Sequence, residues 1–250
     1  MTNRNIAYKS EEMLEFYSSN RRKWNDLYLS ERWALERVAD QNKTLGEVLD
    51  VGCACGGLGA ALNEKGIINS YTGVDIHKGA IDWALKHQKL PVPATFIQGD
   101  IVELGFNRQY DTVISFSCVD WNIETEKIVR VCWKLVKEGG YFIISLRLTP
   151  EDGINDIKKS YQCINFSGRN KDPEIANYVV FNFQDALRMM RDLSPEPELI
   201  GAYGYWGSPS PTAVTLYDKL VFAVFYIKKG TNNTAQNISV ELNLPIDLFV

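Results

Sequence analysis

The sequence predicts an α/β fold in three layers, with a mostly parallel sheet between two layers of helices. The first observation is a buried strand at 47–51 that runs into glycines and then into a helix over 57–65. The second is that apolar strands and amphipathic helices alternate from there to residue 147, as they do when crossover helices join parallel strands. The third is a final pair of strands, 198–205 and 219–227, without a helix between them. Together they predict an open sheet in which strands and helices alternate, except at the final pair of strands.

The composition is that of one large globular domain. The chain has 250 residues, of which 45% are hydrophobic and 23% are charged, so it is long enough to bury a full core. Its formal net charge is -4, which provides no general attraction to phosphate backbones. We therefore expect a partner other than nucleic acid.

Cysteine usage and hydropathy favour a cytoplasmic protein. Five cysteines are an odd number, and Cys53 and Cys55 lie within the glycine-rich turn, so reduced thiols explain them better than a disulfide framework. These two have no second cysteine pair at ligand spacing, and we expect no metal site. No apolar run approaches the roughly 20 residues that span a bilayer, and the first residues lack a signal-peptide core.

The segment before the first strand, residues 8–40, is predicted to be helical. Ser10 and Ser30 are suitable N-caps because acidic residues follow each of them. Aromatic and basic side chains, Trp24 and Arg32 among them, are concentrated here. Two interpretations stay open: the rings pack these helices onto the domain while the arginines face solvent, or the segment covers a ligand.

The stretch 47–59 indicates a nucleotide-binding crevice. Its glycines let the backbone approach a ligand, and the following helix begins with free N–H groups. Gly52-x-Ala54-x-x-Gly57 differs by one residue from the dinucleotide pattern G-x-G-x-x-G. Asp50 comes two residues before the first glycine, however, where a carboxylate would repel a pyrophosphate. S-adenosylmethionine carries an ammonium and a sulfonium but no phosphate, so an acid beside the turn favours its binding.

Two segments resemble motifs of the class I S-adenosylmethionine-dependent methyltransferases. Residues 49–56 are similar to the first motif, D/E-x-G-x-G-x-G, with Ala54 in place of the middle glycine. Residues 137–147 are similar to the pattern L-x-P-G-G-x-hydrophobic, with Glu138 in place of proline. The resemblance implies a Rossmann-like sheet of seven strands whose last strand is antiparallel, with N-terminal helices and an insertion after strand five.

The same resemblance divides the chain into three parts. We expect a helical lid at 1–44, a methyltransferase domain at 45–228 with an insertion at about 148–182, and a C-terminal tail at 229–250. In the lid, the face of an aromatic ring such as Trp24 suits a sulfonium by cation–π attraction. An arginine such as Arg32 can pair with the methionine carboxylate.

The resemblance also assigns the cofactor site. Asp75 ends the second strand, 19 residues after Gly56, where a carboxylate accepts both ribose hydroxyls. After the third strand, Asp100 is assigned to the adenine amino group and Ile101 to the face of the ring. The remaining cofactor residues lie at or just after the ends of the first, second and fourth strands: Asp50, Gly52, Cys53, Ala54, Gly56, Ile76, Ser115 and Ser117.

Asp120 and Trp121 follow the central strand 110–117, at the end where open α/β sheets bind ligands. Two nucleic-acid signatures are missing there, an Asn/Asp-Pro-Pro-aromatic run and a Pro-Cys nucleophile. If the acceptor is a hydroxyl, Asp120 is the best-placed general base, with Tyr203 and Glu31 as weaker candidates. Trp121 is assigned to the acceptor.

Two further regions are predicted to bind the acceptor. The polar stretch 148–178 is too long for an ordinary connection, and the resemblance makes it a cover for the acceptor site. Arg147 and Arg169 either bind an acidic acceptor or face solvent. The loop 204–211 and the residue before it bring three aromatic side chains that either line the acceptor pocket or only pack: Tyr203, Tyr205 and Trp206.

These observations predict an enzyme. It would move a methyl group from S-adenosylmethionine to an O or N atom of a small-molecule acceptor, such as a metabolite, sugar or natural-product intermediate, and leave S-adenosylhomocysteine. We expect a monomer or a homodimer. Two alternatives stay open, a module that binds S-adenosylmethionine without catalysis and a nicotinamide-dependent oxidoreductase.

Overall fold

The computed structural model describes residues 11–165, 174–231 and 237–249. The helices are α1 (Glu11–Ser19), α2 (Leu29–Asn42), α3 (Gly57–Glu64), α4 (Lys78–His87), α5 (Thr125–Lys134) and α6 (Phe183–Arg191). The strands are β1 (Glu47–Val51), β2 (Ser70–Asp75), β3 (Ala94–Gln98), β4 (Tyr110–Ser115), β5 (Val136–Thr149), β6 (Tyr161–Cys163), β7 (Ile175–Asn177), β8 (Phe181–Asn182), β9 (Pro197–Gly207), β10 (Ala213–Val214), β11 (Leu220–Lys229) and β12 (Ser239–Asn243). Short 3-10 turns occupy Trp24–Asp26, Val119–Trp121 and Ile246–Leu248.

Nine strands within the described ranges form the main sheet. Their order is β12-β9-β11-β5-β4-β1-β2-β3, and β8 pairs with the end of β5. β11 lies between β5 and β9 and runs antiparallel to both, whereas β1 to β5 pair in parallel. The predicted Rossmann-like sheet with an antiparallel last strand is therefore confirmed. It has two strands more than the expected seven, because β8, at the end of the insertion, pairs with β5 and β12, from the tail, pairs in parallel with β9.

Helices cover both faces of this sheet. On one face, α5 buries an apolar stripe that includes Ile128 and Cys132, and α6 packs beside it. On the other, α2 and α3 bury Leu35 and Leu62 against the strands. Because β1 to β5 run in one direction, their carboxyl ends meet at a single edge. That edge is where the predicted site residues should meet.

The insertion and the loop after β9 form a second, small sheet. β6 pairs with β7 and with β10, so segments from before α6 and after β9 are joined. Arg169, a candidate for the acceptor site, lies outside the described residues. Through Gln162 of β6, the small sheet supplies part of the wall of a cavity of about 920 Å³, which is described with the candidate site below.

The described part of the chain has no helix long and apolar enough to cross a membrane. Within the same residues, no three His, Cys, Asp or Glu side chains are grouped as metal ligands are. All five cysteines are free thiols.

Candidate active site

The glycine turn joins β1 to α3 through three residues in the left-handed region. Gly52, Ala54 and Gly56 have φ angles of 83°, 45° and 72°. A Cβ atom on Gly52 would lie 2.4 Å from Sγ of Cys118, so the turn requires glycine there. Ala54 is a non-glycine residue in this region, which is strained backbone of the kind found at ligand sites. Gly56 is the N-cap of α3, whose first N–H groups lack partners within the helix.

Asp50 is the acid beneath this turn, and it is almost fully buried, with 3% of its surface exposed. Tyr71 donates its hydroxyl hydrogen bond to Oδ2 of Asp50. Burial raises the pKa of Asp50 to about 7, although the bond from Tyr71 acts in the opposite direction. Asp50 lines a small cavity together with Gly52, Cys53 and Ala54. A cationic group in that cavity would meet the carboxylate and favour its charged form.

Asp75 ends β2 and is fixed by two backbone donors. Ala54 N donates to its Oδ2 and His77 N to its Oδ1, each at 2.8 Å. Burial raises the pKa of Asp75, and the two backbone bonds act against that rise. Each carboxylate oxygen keeps a second lone pair, so Asp75 still has room to accept two hydroxyl groups. His77 caps α4 by accepting a bond from Ala80 N at 3.0 Å, which is a structural role.

A third acidic position lies after β3. Asp100 accepts a bond from Val102 N at 2.9 Å, which fixes the turn. Together with Asp75, Ile76 and Ile101, it lines a cavity of about 90 Å³. Ile101 is 6% exposed and offers an apolar wall to a flat ring.

Three small cavities follow one another along this edge of the sheet, and we call them the groove. Their volumes are about 50, 70 and 90 Å³, and Gly52 lines all three. Asp50 lines the first cavity, Asp75 the second and third, and Asp100 the third. The groove therefore offers carboxylates in succession to an elongated ligand.

Side chains of α1 and the following loop cover the groove. Tyr17 lines its first two cavities, and Arg21 lines the first beside Asp50. Arg21 Nη2 lies 2.7 Å from Oε1 of Glu31, which is 1% exposed. Burial raises the pKa of Glu31, and the guanidinium of Arg21 opposes this. The pair ties the loop to the start of α2.

The structure does not bring Trp24 or Arg32 to the groove. Trp24 is 5% exposed and packs in the core beneath α2, and Arg32 donates to Oδ1 of Asn25 at 3.3 Å. Neither lines any of the four cavities described here. Instead, Tyr17 and Arg21, which belong to the same aromatic and basic segment, line the groove. The spacing of aromatic and basic residues in the sequence does not show which ring and which arginine reach the groove.

A much larger cavity opens beside the groove, and we call it the acceptor cavity. Its volume is about 920 Å³, near the upper end of the roughly 300–1,000 Å³ typical of ligand pockets. Tyr17, Ser117 and Trp121 line both this cavity and the groove, so the two are neighbours. Its described lining includes seven aromatic side chains: Phe16, Tyr17, Tyr28, Trp121, Tyr178, Tyr205 and Phe222.

Asp120 and Arg147 form a buried ion pair in the wall of this cavity. Their side chains are 5% and 6% exposed, and Nη2 of Arg147 lies 3.1 Å from Oδ2 of Asp120. Arg147 also donates to the backbone oxygens of Asp120 and Val179, and it lies over the ring of Tyr178. Burial raises the pKa of Asp120, and Arg147 acts against that rise. Oδ1 of Asp120 has no hydrogen-bond partner.

The remaining predicted residues divide between the cavity and the core. Tyr205 lines the acceptor cavity, and Ser117 lines both the cavity and the groove. Tyr203 stacks on Trp33 with ring centres 5.1 Å apart. Trp206 donates to Oδ1 of Asp247 and packs on the opposite face of the sheet. Ser115 is buried, and its hydroxyl donates to the backbone oxygen of Val51 at 3.1 Å. It supports the turn but lines none of the four cavities described here.

Comparison with known proteins identifies the domain. Residues 49–144 match a family model described as "Methyltransferase domain". Over these residues the chain is similar to a methyltransferase domain. A methyltransferase described as S-adenosylmethionine-dependent, from Clostridium acetobutylicum ATCC 824, aligns with a TM-score of 0.54 over 88% of this chain and 96% of its own, at 15% identity. At that identity the likeness shows the shared fold.

Two relatives match the methyltransferase domain more closely in sequence. Ubiquinone biosynthesis O-methyltransferase of Proteus mirabilis is 35% identical over 40% of this chain and 41% of its own length. Malonyl-[acyl-carrier protein] O-methyltransferase of Priestia megaterium is 32% identical over 39% of this chain and 35% of its own. The chain thus spans less than half the length of these relatives. The family match at 49–144 contains the glycine turn and the strand ends that line the groove, whereas α1, which covers the groove, and most of the residues that line the acceptor cavity lie outside it.

The residues of the groove suit S-adenosylmethionine, the cofactor of this class of domain. Asp50 offers a negative charge to an ammonium, Asp75 has two lone pairs for a ribose, and Asp100 and Ile101 border a slot for adenine. These fits come from the geometry of the described residues.

Proposed function

We propose that this protein transfers a methyl group from S-adenosylmethionine to an oxygen or nitrogen atom of a small-molecule acceptor. The observation that carries this proposal is the groove, with its succession of carboxylates, opening beside a cavity of about 920 Å³ that is lined by aromatic side chains. A module that only bound the cofactor would need no second cavity of that size. The methyltransferase domain and the O-methyltransferase relatives support the same chemistry.

Each part of the site has a distinct task. When bound, S-adenosylmethionine supplies a methyl group on a sulfonium, from which a neutral thioether is a good leaving group. Asp50 lies at one end of the groove, Asp75 at its centre and Asp100 at the other end, and Tyr17 keeps water from its first two cavities. Trp121 borders both the groove and the acceptor cavity, so it positions an acceptor beside the cofactor site. Positioning and the exclusion of water supply much of the rate in such a transfer.

Asp120 is the general base in this proposal if the acceptor is a hydroxyl. Its Oδ1 is unpaired and lies in a residue that lines the acceptor cavity. Its raised pKa makes it a stronger base than an ordinary carboxylate, and Arg147 keeps it in place. Glu31 is less suitable because its two oxygens already accept bonds from Arg21 and from the backbone of Tyr28.

The protein is proposed to act in the cytoplasm, as a monomer or homodimer. Its five free thiols suit a reducing compartment. Nucleic acid is not the proposed substrate, because the chain carries a net charge of -4.

The test is a transfer assay with labelled S-adenosylmethionine and a panel of hydroxyl- and amine-bearing small molecules. We expect transfer to at least one acceptor, and Asp120→Asn should lower kcat for a hydroxyl acceptor by about 10²- to 10⁴-fold. The affinity of that variant for S-adenosylhomocysteine should not change. Unchanged kcat in Asp120→Asn would remove Asp120 from the role of base. A protein that binds both adenosyl ligands but methylates nothing across the panel would favour a module without catalysis.

A further inference from the structure

Unpaired polar atoms in the acceptor cavity indicate the chemistry of its ligand. Oδ1 of Asp120, Nε1 of Trp121 and Oε1 of Gln162 are buried and have no hydrogen-bond partner. All three residues line the acceptor cavity, and Asp120 and Gln162 are only 4% and 7% exposed. Buried polar groups in folded proteins almost always have partners. The three atoms therefore call for a ligand that brings two donors and one acceptor.

Gln162 is held in place by its other end. Its amide nitrogen donates to Oγ of Ser210 at 2.9 Å and to Oγ1 of Thr212 at 3.1 Å. The amide oxygen is thus the atom left for the cavity. Asp120 is fixed in the same way, because Arg147 binds its Oδ2 and leaves Oδ1 free. Both unpaired acceptors therefore have set positions before a ligand arrives.

The charges of the described cavity lining are balanced. The cations are Arg21, Lys23 and Arg147, and the anions are Asp26, Glu31 and Asp120. The buried members are already paired, Arg21 with Glu31 and Arg147 with Asp120. Lys23 and Asp26 are exposed. The interior thus has no uncompensated charge to offer, and Arg147 is not available to neutralise an acidic acceptor.

We propose that the acceptor is an uncharged aromatic compound with hydroxyl groups. One hydroxyl donates to Oδ1 of Asp120, a second donor meets Oε1 of Gln162, and an oxygen of the ligand accepts from Nε1 of Trp121. The aromatic walls stack on its rings, and the cavity of about 920 Å³ is large enough for more than one ring. This rests on the proposed function, since the hydroxyl at Asp120 is the group to be methylated. A polyol is disfavoured because only three buried lining atoms of the described residues need partners.

The test is calorimetric titration of the protein, first saturated with S-adenosylhomocysteine, with a matched series of probes. The neutral probe is dihydroxynaphthalene, and its carboxylate and aminomethyl derivatives add a negative or a positive charge. Dimethoxynaphthalene lacks the donors, and methyl glucoside represents a polyol. We expect dihydroxynaphthalene to bind at least tenfold more tightly than each of the other four. Equal or tighter binding by a charged derivative, by dimethoxynaphthalene or by methyl glucoside would overturn the proposal, as would no binding by any ring compound.

Two variants separate this role of Gln162 from a purely structural one. Gln162→Met keeps the length of the side chain but removes the amide, and it should weaken dihydroxynaphthalene at least fivefold. Asn177→Leu is the matched control, because Oδ1 of Asn177 is also buried and unpaired on the neighbouring strand β7, but Asn177 does not line the cavity. It should leave the affinity unchanged. The affinity for S-adenosylhomocysteine, measured first, tests the proposed function separately, and its absence would reject that function.

Discussion

Replacing Arg147 with methionine should strand the Asp120 carboxylate in the wall of the acceptor cavity. The two side chains are 6% and 5% exposed, so water can replace little of what the guanidinium provides. Removing one partner of a buried ion pair costs about 3–5 kcal/mol, because the other charge stays buried without compensation. Arg147 also donates to the backbone oxygens of Asp120 and Val179, and these bonds are lost too. We expect Arg147→Met to lower the free energy of unfolding by about 3–5 kcal/mol.

The assay is urea denaturation of wild type, Arg147→Met and the double variant Asp120→Leu/Arg147→Met. Removing both charges leaves none buried alone, so the double variant should be more stable than Arg147→Met. The deficit of Arg147→Met should also depend on pH. Burial places the folded-state pKa of Asp120 above its usual value even with Arg147 present, and its loss removes the opposing charge. Stability should then fall as pH rises through that pKa and recover at low pH, where Asp120 is protonated. A loss below about 1 kcal/mol, or a double variant no more stable than Arg147→Met, would refute this account of the pair.

Three further predictions concern the turn, the buried acid beneath it and the acceptor wall. Gly52→Ala should abolish binding of S-adenosylhomocysteine and lower the free energy of unfolding by about 1–3 kcal/mol, since its Cβ would lie 2.4 Å from Sγ of Cys118; Gly66→Ala is the control, because Gly66 has a φ of 66° but nothing within 4 Å. Equal losses in thermal melts of the two variants would contradict a steric cause. Asp50 has its pKa raised from 3.8 to about 7, so its contribution to stability is fully present below pH 3.8 and is lost as pH rises through 7. This amounts to at most about 4 kcal/mol at 1.36 kcal/mol per pKa unit. Asp50→Asn should remove that part of the pH dependence in chemical denaturation, and an unaltered profile would show that Asp50 is ionised without cost. Tyr205→Ala should raise the KM for the acceptor, whereas Trp206→Phe should not, because only Tyr205 lines the cavity; steady-state kinetics of both variants decide the point.

The sequence predicted the parts of the molecule that depend on local patterns. Two examples are the strand, glycine turn and helix at 47–65 and the acid at the end of β2. Both can be read from short stretches of sequence, because glycine placement and apolar runs are local properties. Asp50, Gly52, Asp75, Asp100 and Ile101 all line the groove as expected from the resemblance.

Residues whose positions depend on long-range packing could not be predicted in this way. Tyr17 and Trp24 belong to one aromatic segment, and only the packing of α1 over the turn decides which of them meets the groove. Tyr205 and Trp206 were assigned together to a loop, but β9 extends to Gly207, so neighbouring side chains face opposite sides of the sheet. Gln162 lies in an insertion without periodicity and reaches the cavity because β6 pairs with β10, some fifty residues later in the chain.

Asp75 provides the most direct test of the central claim, that the groove binds S-adenosylmethionine. The measurement is calorimetric titration of the purified protein with S-adenosylmethionine, S-adenosylhomocysteine and NAD, repeated with Asp75→Ala. Because Asp75 is held by Ala54 and His77 at the centre of the groove, we expect micromolar binding of both adenosyl ligands, lost in the variant, and no binding of NAD. Binding of NAD alone, or adenosyl binding that survives in Asp75→Ala, would contradict the account.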